Sequence, residues 1–287
     1  MPFNCREQLA SVFQDTQRLY TENQQLKIAV QVTKDNTIFY EADDFPPLPQ
    51  KRNIPCETVV TKNKSFEAAI KRHQQYPEDR ITVLNFASAT NPGGGVKHGS
   101  SAQEESLCRC STLYPALNRN MLWDRYYSPN RSEKNPLHSD ACIWTPGIII
   151  CKTDTGIPER MKEQDWVSVD IISCAAPNLR ETTGNIYNPE YTQSVRLSPE
   201  EQYRLHLQRA KHILHIAAAH LTDTLILGAF GCGAFANDPY AVAKAYRDSL
   251  PRYCQYFKRV EFAIFCRGYE TKNHDAFNSV LHTTQNA

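Results

Sequence analysis

Glu104 and Glu105 stand side by side a short loop after Gly93-Gly94-Gly95, in the stretch NPGGGVKHGSSAQEES at residues 91–106. Three glycines in a row are costly to order and adjacent carboxylates repel, so the stretch carries two local costs. A ligand that justifies both has an anionic part needing close backbone approach and a neutral, hydroxyl-bearing part that carboxylates can address. A ribose joined to a pyrophosphate has that layout. A carboxyl beside an anomeric carbon can protonate a leaving oxygen and then activate water, which is the chemistry of glycoside hydrolysis. Its pKa must rise for that work, and burial or a like-charged neighbour raises it against the pull of a helix N-terminus. A structural role competes for Glu104. Ser101-Ala-Gln-Glu104 has the form of a capping box, whereas Glu105 has no such role.

A second glycine cluster, GAFGCGAFANDP, begins at Gly228. Of the 11 glycines in the chain, six fall at 93–95, 228, 231 and 233, a concentration that argues against two ordinary turns. Gly231-Cys-Gly233-Ala-Phe-Ala236 formally matches the dinucleotide fingerprint, but it lies late in the chain and no acidic residue ends a strand about 20 residues later. A Walker loop is absent. Cys232, between two glycines, reads as a small filler. The histidines at 206, 212, 215 and 220 lack the spacing of a metal pair.

Both glycine clusters must be positioned by the elements around them. ITVLNFA (81–87) reads as a buried strand running into the first cluster, with a helix from near Ser101 through AQEESLCRCSTLYPAL. TLILGAF (224–230) reads as a strand into the second, with a helix over 238–249 behind it. The same alternation gives strands at 56–61, 142–151, 166–178 and 259–266. It gives helices at 65–75, at 198–221 with Ser198 as N-cap and Pro199 at the first helical position, and over HDAFNSVL. Ahead of them lie an amphipathic helix within the first 25 residues, two short strands at 26–33 and 37–42 turned by KDN, and a proline-rich connection at 43–55. Two domains of the chain follow: 1–55, an N-terminal accessory segment, and 56–287, an α/β core. In such sheets ligands bind where the strand-to-helix loops converge, with loop amides and the next helix N-terminus facing the anion.

Composition narrows the class. Hydrophobic residues make up 41% of the 287 and charged residues 22%, the balance of a soluble globular protein, and the net charge is +1 from 32 basic and 31 acidic side chains. No global field draws nucleic acid or anionic lipid, so anion recognition must be local. The N-terminus has no secretory pattern, no run reaches transmembrane length, and the ten cysteines sit mostly singly in apolar runs. Reduced thiols and a cytoplasmic location are expected.

Gly93-Gly94-Gly95, seven residues, then Gln103-Glu104-Glu105 resembles the GGG…QEE signature of the poly(ADP-ribose) glycohydrolases. The surrounding LNFASATNPGGG and AQEESLCRCSTLYPAL are similar to the shorter, microbial-type branch, and LGAFGCGAFANDP resembles a macrodomain phosphate loop. The resemblance spans roughly residues 56–285. It implies an α/β, macrodomain-like three-layer sandwich with a mixed, largely parallel sheet flanked by helices. It implies hydrolysis of the ribose–ribose O-glycosidic bond of poly(ADP-ribose), from chain ends, releasing ADP-ribose.

By the same resemblance, Glu105 is the catalytic acid and base, Glu104 orients the distal ribose, and Gln103 shapes the site. Gly93, Gly94 and Gly95 line the diphosphate and distal-ribose pocket, with Asn91 as a ribose contact. The animal branch carries asparagine at the position of Ser88. Gly231, Gly233 and Ala234 wrap the phosphates and Phe235 packs on the terminal unit. No cofactor and no metal are implied. The expected partners are poly(ADP-ribose), ADP-ribose and ADP-ribosylated proteins as substrates, with no membrane, for a monomer. Two alternatives keep the same loops: a non-catalytic macrodomain-like ADP-ribose-binding module and a mono-ADP-ribosylhydrolase. The paired glutamates favour the polymer hydrolase, since a binding module needs the loops but not the acids.

Overall fold

A computed structural model describes residues 3–282, apart from residue 53 and residues 182–193; the ends of the two expected domains at 1–2 and 283–287 lie outside it. Two helices, α1 (Phe3–Glu22) and α2 (Gln24–Asn36), lead into β1 (Ile38–Tyr40) and, after an extended stretch, β2 (Glu57–Thr61), α3 (Ser65–Gln75) and β3 (Ile81–Phe86). A run of short helices follows: α4 (Gln103–Cys110), α5 (Leu113–Leu117), α6 (Asn120–Leu122), a π-turn over Trp123–Tyr127, and α7 (Ser128–Glu133). β4 (Cys142–Ile150) and β5 (Val167–Cys174) precede α8 (Pro199–Ala219), β6 (Thr224–Leu227), α9 (Pro239–Tyr253), β7 (Arg259–Ala263) and α10 (Lys272–His282).

The seven strands form one mixed sheet in the order β1-β4-β5-β3-β6-β7-β2. The pairings from β5 across to β2 are parallel, and those of β4 with β1 and β5 are antiparallel. Alternation along the strands sends side chains to two separate cores. Ile81 and Val83 of β3 join Phe13, Phe66 and Leu107 on one face, while Leu84 joins Ile213, Tyr246 and Phe277 on the other. Helices therefore cover both faces, and a three-layer α/β sandwich results. No helix among the described residues is long and apolar enough to cross a membrane.

Residues 26–33, expected as a strand, are the middle of α2. Leu26, Ile28, Val30 and Val32 alternate in sequence, but Leu26, Val30 and Thr33 are the buried set, at helical spacing, and Ile28 and Val32 are each 56% exposed. Asn23 starts this helix by accepting from the Leu26 N–H at 3.1 Å. KDN is accordingly its last turn, not a hairpin. Phe13 of α1 and Phe39 of β1 lie in the same core as the central strands, and β1 pairs with β4 at the sheet edge. The proline-rich stretch lies extended along α8, where the ring nitrogens of His212 and His215 meet the carbonyls of Asp44 and Pro46 at 2.9 and 2.7 Å.

The helix expected from Ser101 through Leu117 is two helices. Ser111 and Thr112 break it, and Ser111 instead bridges to Ile150 of β4. The break lets α5 turn beneath the glycine triplet.

Candidate active site

β3 is the central strand, and its parallel neighbours β5 and β6 end on the same side. The loops after Phe86, Cys174 and Leu227 therefore open at one edge of the sheet, around a cleft of about 2030 Å³. Asn91, Gly94, Gly95, Gln103, Glu104 and Glu105 line it from one side, and Gly231, Gly233, Ala234 and Phe235 from the other. Gly93 is the exception. A Cβ built on it would point at Tyr114 and Cys108, at 3.0 and 3.2 Å, and it does not line the cleft.

α4 begins at Gln103, with Ala102 at the N-cap position and no side-chain cap. The capping box expected from Ser101 and Glu104 does not form, because both acids turn toward the glycine loop and the end of β3. Gln103 clips the helix to that strand. Its Oε1 accepts from the Phe86 N–H at 2.9 Å, and its Nε2 donates to the Leu84 carbonyl at 2.8 Å and Ser65 Oγ at 3.1 Å.

Glu104 is 3% exposed and both its oxygens are engaged. Oε2 accepts from the Ser88 N–H at 2.7 Å, and Oε1 accepts from Asn85 Nδ2 at 3.3 Å. Glu105 Oε1 accepts from the Gly95 N–H at 2.9 Å, and its Oε2 has no partner among the described residues. The two carboxylates meet under Gly94. A Cβ built on that residue, whose φ is +54°, would lie 2.6 Å from Glu105 Oε1 and 3.3 Å from Glu104 Oε2.

Burial is the main force on Glu104 and the charge of Glu105 adds to it. Together they push its pKa from the ordinary 4.5 up to about 8, against the hydrogen bonds from Ser88, Asn85 and Gly93. At neutral pH Glu104 is therefore favoured in its protonated form. Two outcomes follow. kcat/KM falls as pH rises through about 8, as Glu104 loses that proton. In stability the folded value lies above the unfolded one, so the unfolded chain gives up its proton first. The contribution of Glu104 is complete below about pH 4.5 and lost as pH rises toward 8. Glu104→Gln should consequently raise Tm relative to wild type by several degrees more at about pH 9 than at about pH 5, read by thermal melts. An equal difference at both pH values would show that Glu104 is ionised throughout.

Three residues that sequence reasoning missed hold this arrangement. Asn85, fully buried inside an apolar strand, donates to both Glu104 and Ser173 Oγ. A polar residue in ITVLNFA was the available signal. Arg109 lies one helical turn beyond Glu105 and is 2% exposed. Its guanidinium donates to the Ser100 carbonyl, holding the return of the glycine loop, and brings a buried positive charge to the acids. Asn237 organises the second loop, its Nδ2 donating to the carbonyls of Pro177 at 2.7 Å, Gly231 at 3.0 Å and Phe235 at 3.3 Å while Oδ1 meets His206 Nε2 at 2.8 Å.

Closed in this way, the second loop leaves the backbone N–H groups of Gly231, Gly233, Ala234 and Phe235 without an acceptor among the described residues. Such a run of amides makes an anion cradle. The N-terminus of α9 does not share in it, contrary to expectation. Asp238 already caps that helix, accepting from the Tyr240 and Ala241 N–H groups at 2.7 and 3.0 Å. Phe235 is half-buried beside the cradle, with the Arg180 guanidinium 5.5 Å from its ring centroid. Cys232 is half-buried and desolvation pushes its thiol well up, which leaves it inert as a nucleophile. Asn91, on the opposite wall, has its Oδ1 held by Arg131. His206, His212 and His215 of α8 and His220 just past its end face different neighbours: Asn237, the Asp44 and Asp140 carbonyls, the Pro46 carbonyl and Tyr40.

A mixed sheet between helical layers, an amide cradle and a buried pair of glutamates at the cleft define a macrodomain-type glycoside hydrolase. The family model for the catalytic domain of microbial-type PARG matches residues 7–153, just over half of the chain. This chain belongs to that family, the microbial-type poly(ADP-ribose) glycohydrolases. A structure of the Thermomonospora curvata poly(ADP-ribose) glycohydrolase superposes with a TM-score of 0.79 at 27% identity, over 96% of this chain and 100% of that one. The same enzyme bound to the inhibitor ADP-HPD gives 0.77 at 27% identity, over 96% and 99%. The Deinococcus radiodurans enzyme in complex with ADP-ribose gives 0.72 at 31% identity, over 89% and 97%. Among curated protein sequences no significant match is found.

Proposed function

We propose that this chain, a poly(ADP-ribose) glycohydrolase, releases ADP-ribose from polymer ends with Glu105 as general acid and then general base. The observation that carries the assignment is the unequal bonding of the two acids. Glu104 spends both oxygens on β3 and its loop, whereas Glu105, which lines the cleft, has no partner for Oε2 among the described residues.

The diphosphate of the terminal unit lies on the amides of Gly231, Gly233, Ala234 and Phe235, and Phe235 packs against the unit. Asn91, Gly94 and Glu104 face the distal ribose. The proton favoured on Glu104 passes through Glu105 to the 2′ oxygen of the leaving unit as the bond from that oxygen to the distal anomeric carbon breaks. The adjacent carboxylates stabilise the positive charge that develops on the ring. Glu105, now a carboxylate, takes a proton from water as the water oxygen bonds to the anomeric carbon, which restores the resting site.

Chain-end action rests on burial. Glu104 and Glu105 are 3% and 8% exposed, so the scissile bond must enter a pocket. A free end enters with one strand of polymer behind it, whereas an internal unit must pass chain on both sides. Polymer carried on ADP-ribosylated proteins is an equal substrate in this reading, and one chain supplies the whole site, so the working form is a monomer.

Digestion of purified polymer, sampled at early conversion and separated by chromatography, tests the reading. ADP-ribose should be the first product. Oligomers of intermediate length appearing first would overturn the chain-end assignment, and intact polymer would overturn catalysis altogether.

A further inference from the structure

A second, smaller pocket of about 210 Å³ shares Asn91 and Gly94 with the main cleft and continues past them to Pro92, Lys97, His98, Tyr114, Asn118 and Trp123. The catalytic pair lies against that shared wall, since Gly94 is the residue that touches both carboxylates. The mechanism above uses none of the six side chains beyond it.

The pocket is built rather than incidental. Tyr114 is 6% exposed, packed edge-on against Phe13 with ring centroids 5.0 Å apart and pressed against Gly93. Trp123 is fixed at two points. Its indole N–H donates to Asn118 Oδ1 at 2.9 Å, and the Arg131 guanidinium sits 4.7 Å from its ring centroid. Arg131 itself donates to the Thr90 carbonyl at 2.8 Å and to Asn91 Oδ1, which ties the small pocket to the loop that leads into the glycine triplet. Trp123 also opens the π-turn, a local geometry that recurs at functional sites. Lys97 is exposed with its Nζ 5.5 Å from the Tyr114 ring centroid, and it has no acidic partner among the described residues. An unpaired cation beside two fixed aromatic rings suits an anion attached to a flat or sugar ring. The volume falls below the roughly 300–1,000 Å³ of drug-sized ligand sites, so it holds part of a nucleotide rather than a whole dinucleotide.

We propose that this pocket belongs to the subsite for the leaving unit, taking part of the adenosine phosphate of the ADP-ribose from which the terminal unit is cut. Lys97 pairs with a phosphate there and Trp123 supports the ring. The assignment rests on the catalytic reading of Glu105: with the terminal unit in the main cleft, the oxygen that Glu105 protonates belongs to the next unit, which must lie on the far side of the scissile bond. An opening that shares Gly94 with the acids is the adjacent space for it.

The test compares two substrates in Lys97→Glu and Trp123→Ala: purified poly(ADP-ribose), and ADP-ribose bearing a small uncharged phenol at the distal anomeric carbon, which has no nucleotide to fill the subsite. Loss of a charge-assisted contact should lower kcat/KM on polymer about tenfold relative to the phenol substrate, mostly through KM, and Lys97→Arg should restore most of it. If wild type cleaves both substrates and the ratio is unchanged in the variants, the pocket plays no part and the proposal falls. If both substrates lose equally, the residues act on the glycine loop instead, and it falls for that reason. If wild type cleaves neither, it is the catalytic reading that fails.

Discussion

Glu105→Gln should bind ADP-ribose within a few-fold of wild type yet release it from polymer about a thousandfold more slowly. The amide matches the carboxyl in size, and its oxygen can still accept the Gly95 N–H, so the glycine loop keeps its shape. The proton for the leaving oxygen is lost, and so is the base that activates water. In the proposed mechanism one residue serves both steps, so no second group takes over, and Glu104 is already committed to Ser88 and Asn85. Turnover from polymer and calorimetric titration with ADP-ribose read the two halves separately. A variant retaining a tenth of wild-type turnover would move the catalytic role elsewhere. A variant that no longer binds would mean that Glu105 holds the loop rather than the proton.

Gly94→Ala should cost about a hundredfold in kcat/KM and about 1–2 kcal/mol of stability, though it removes no functional group. The stability term comes from placing an L side chain at φ +54°. The kinetic term comes from contact. A methyl group 2.6 Å from Glu105 Oε1 forces that carboxylate aside, and its nearness to Glu104 Oε2 blocks one direction of escape. Displacing a reacting group by an ångström is enough for a loss of this order. Gly233 offers the comparison for stability alone: it has an ordinary φ and no atom within 4 Å of a built Cβ, so Gly233→Ala should leave Tm unchanged. A Gly94→Ala enzyme with wild-type kcat/KM would show that the acids tolerate displacement, and the tight seating under Gly94 would then have no catalytic meaning.

What the sequence determined by itself is local in origin. Alternation along 81–86 and 224–227, and the cap at Ser198 ahead of Pro199, are set by near neighbours in the chain, and the strands and helix stand where that pattern puts them. The order of the elements then implied parallel pairing and convergence of the two glycine loops at one sheet edge. That Gly94 and Glu105 belong to the cleft, which both line, was legible because their residue types make little sense without a ligand.

Tertiary structure decided the rest wherever two local patterns were equally good or the partner lay far along the chain. Residues 26–33 satisfy an alternating pattern, yet packing of Leu26, Val30 and Thr33 on the core made them helix. Ser101 and Glu104 satisfy a capping pattern, but the amides at the end of β3 offered the carboxylate a buried site that a helix cap could not. That burial is what raises the pKa of Glu104, and no count of neighbouring residues reveals it. Asn237 and Arg131 reach the site from 60 and 40 residues away, to Pro177 and Asn91 respectively. Which backbone groups such side chains satisfy depends on where the strands end in space, and that is fixed only when the sheet has assembled.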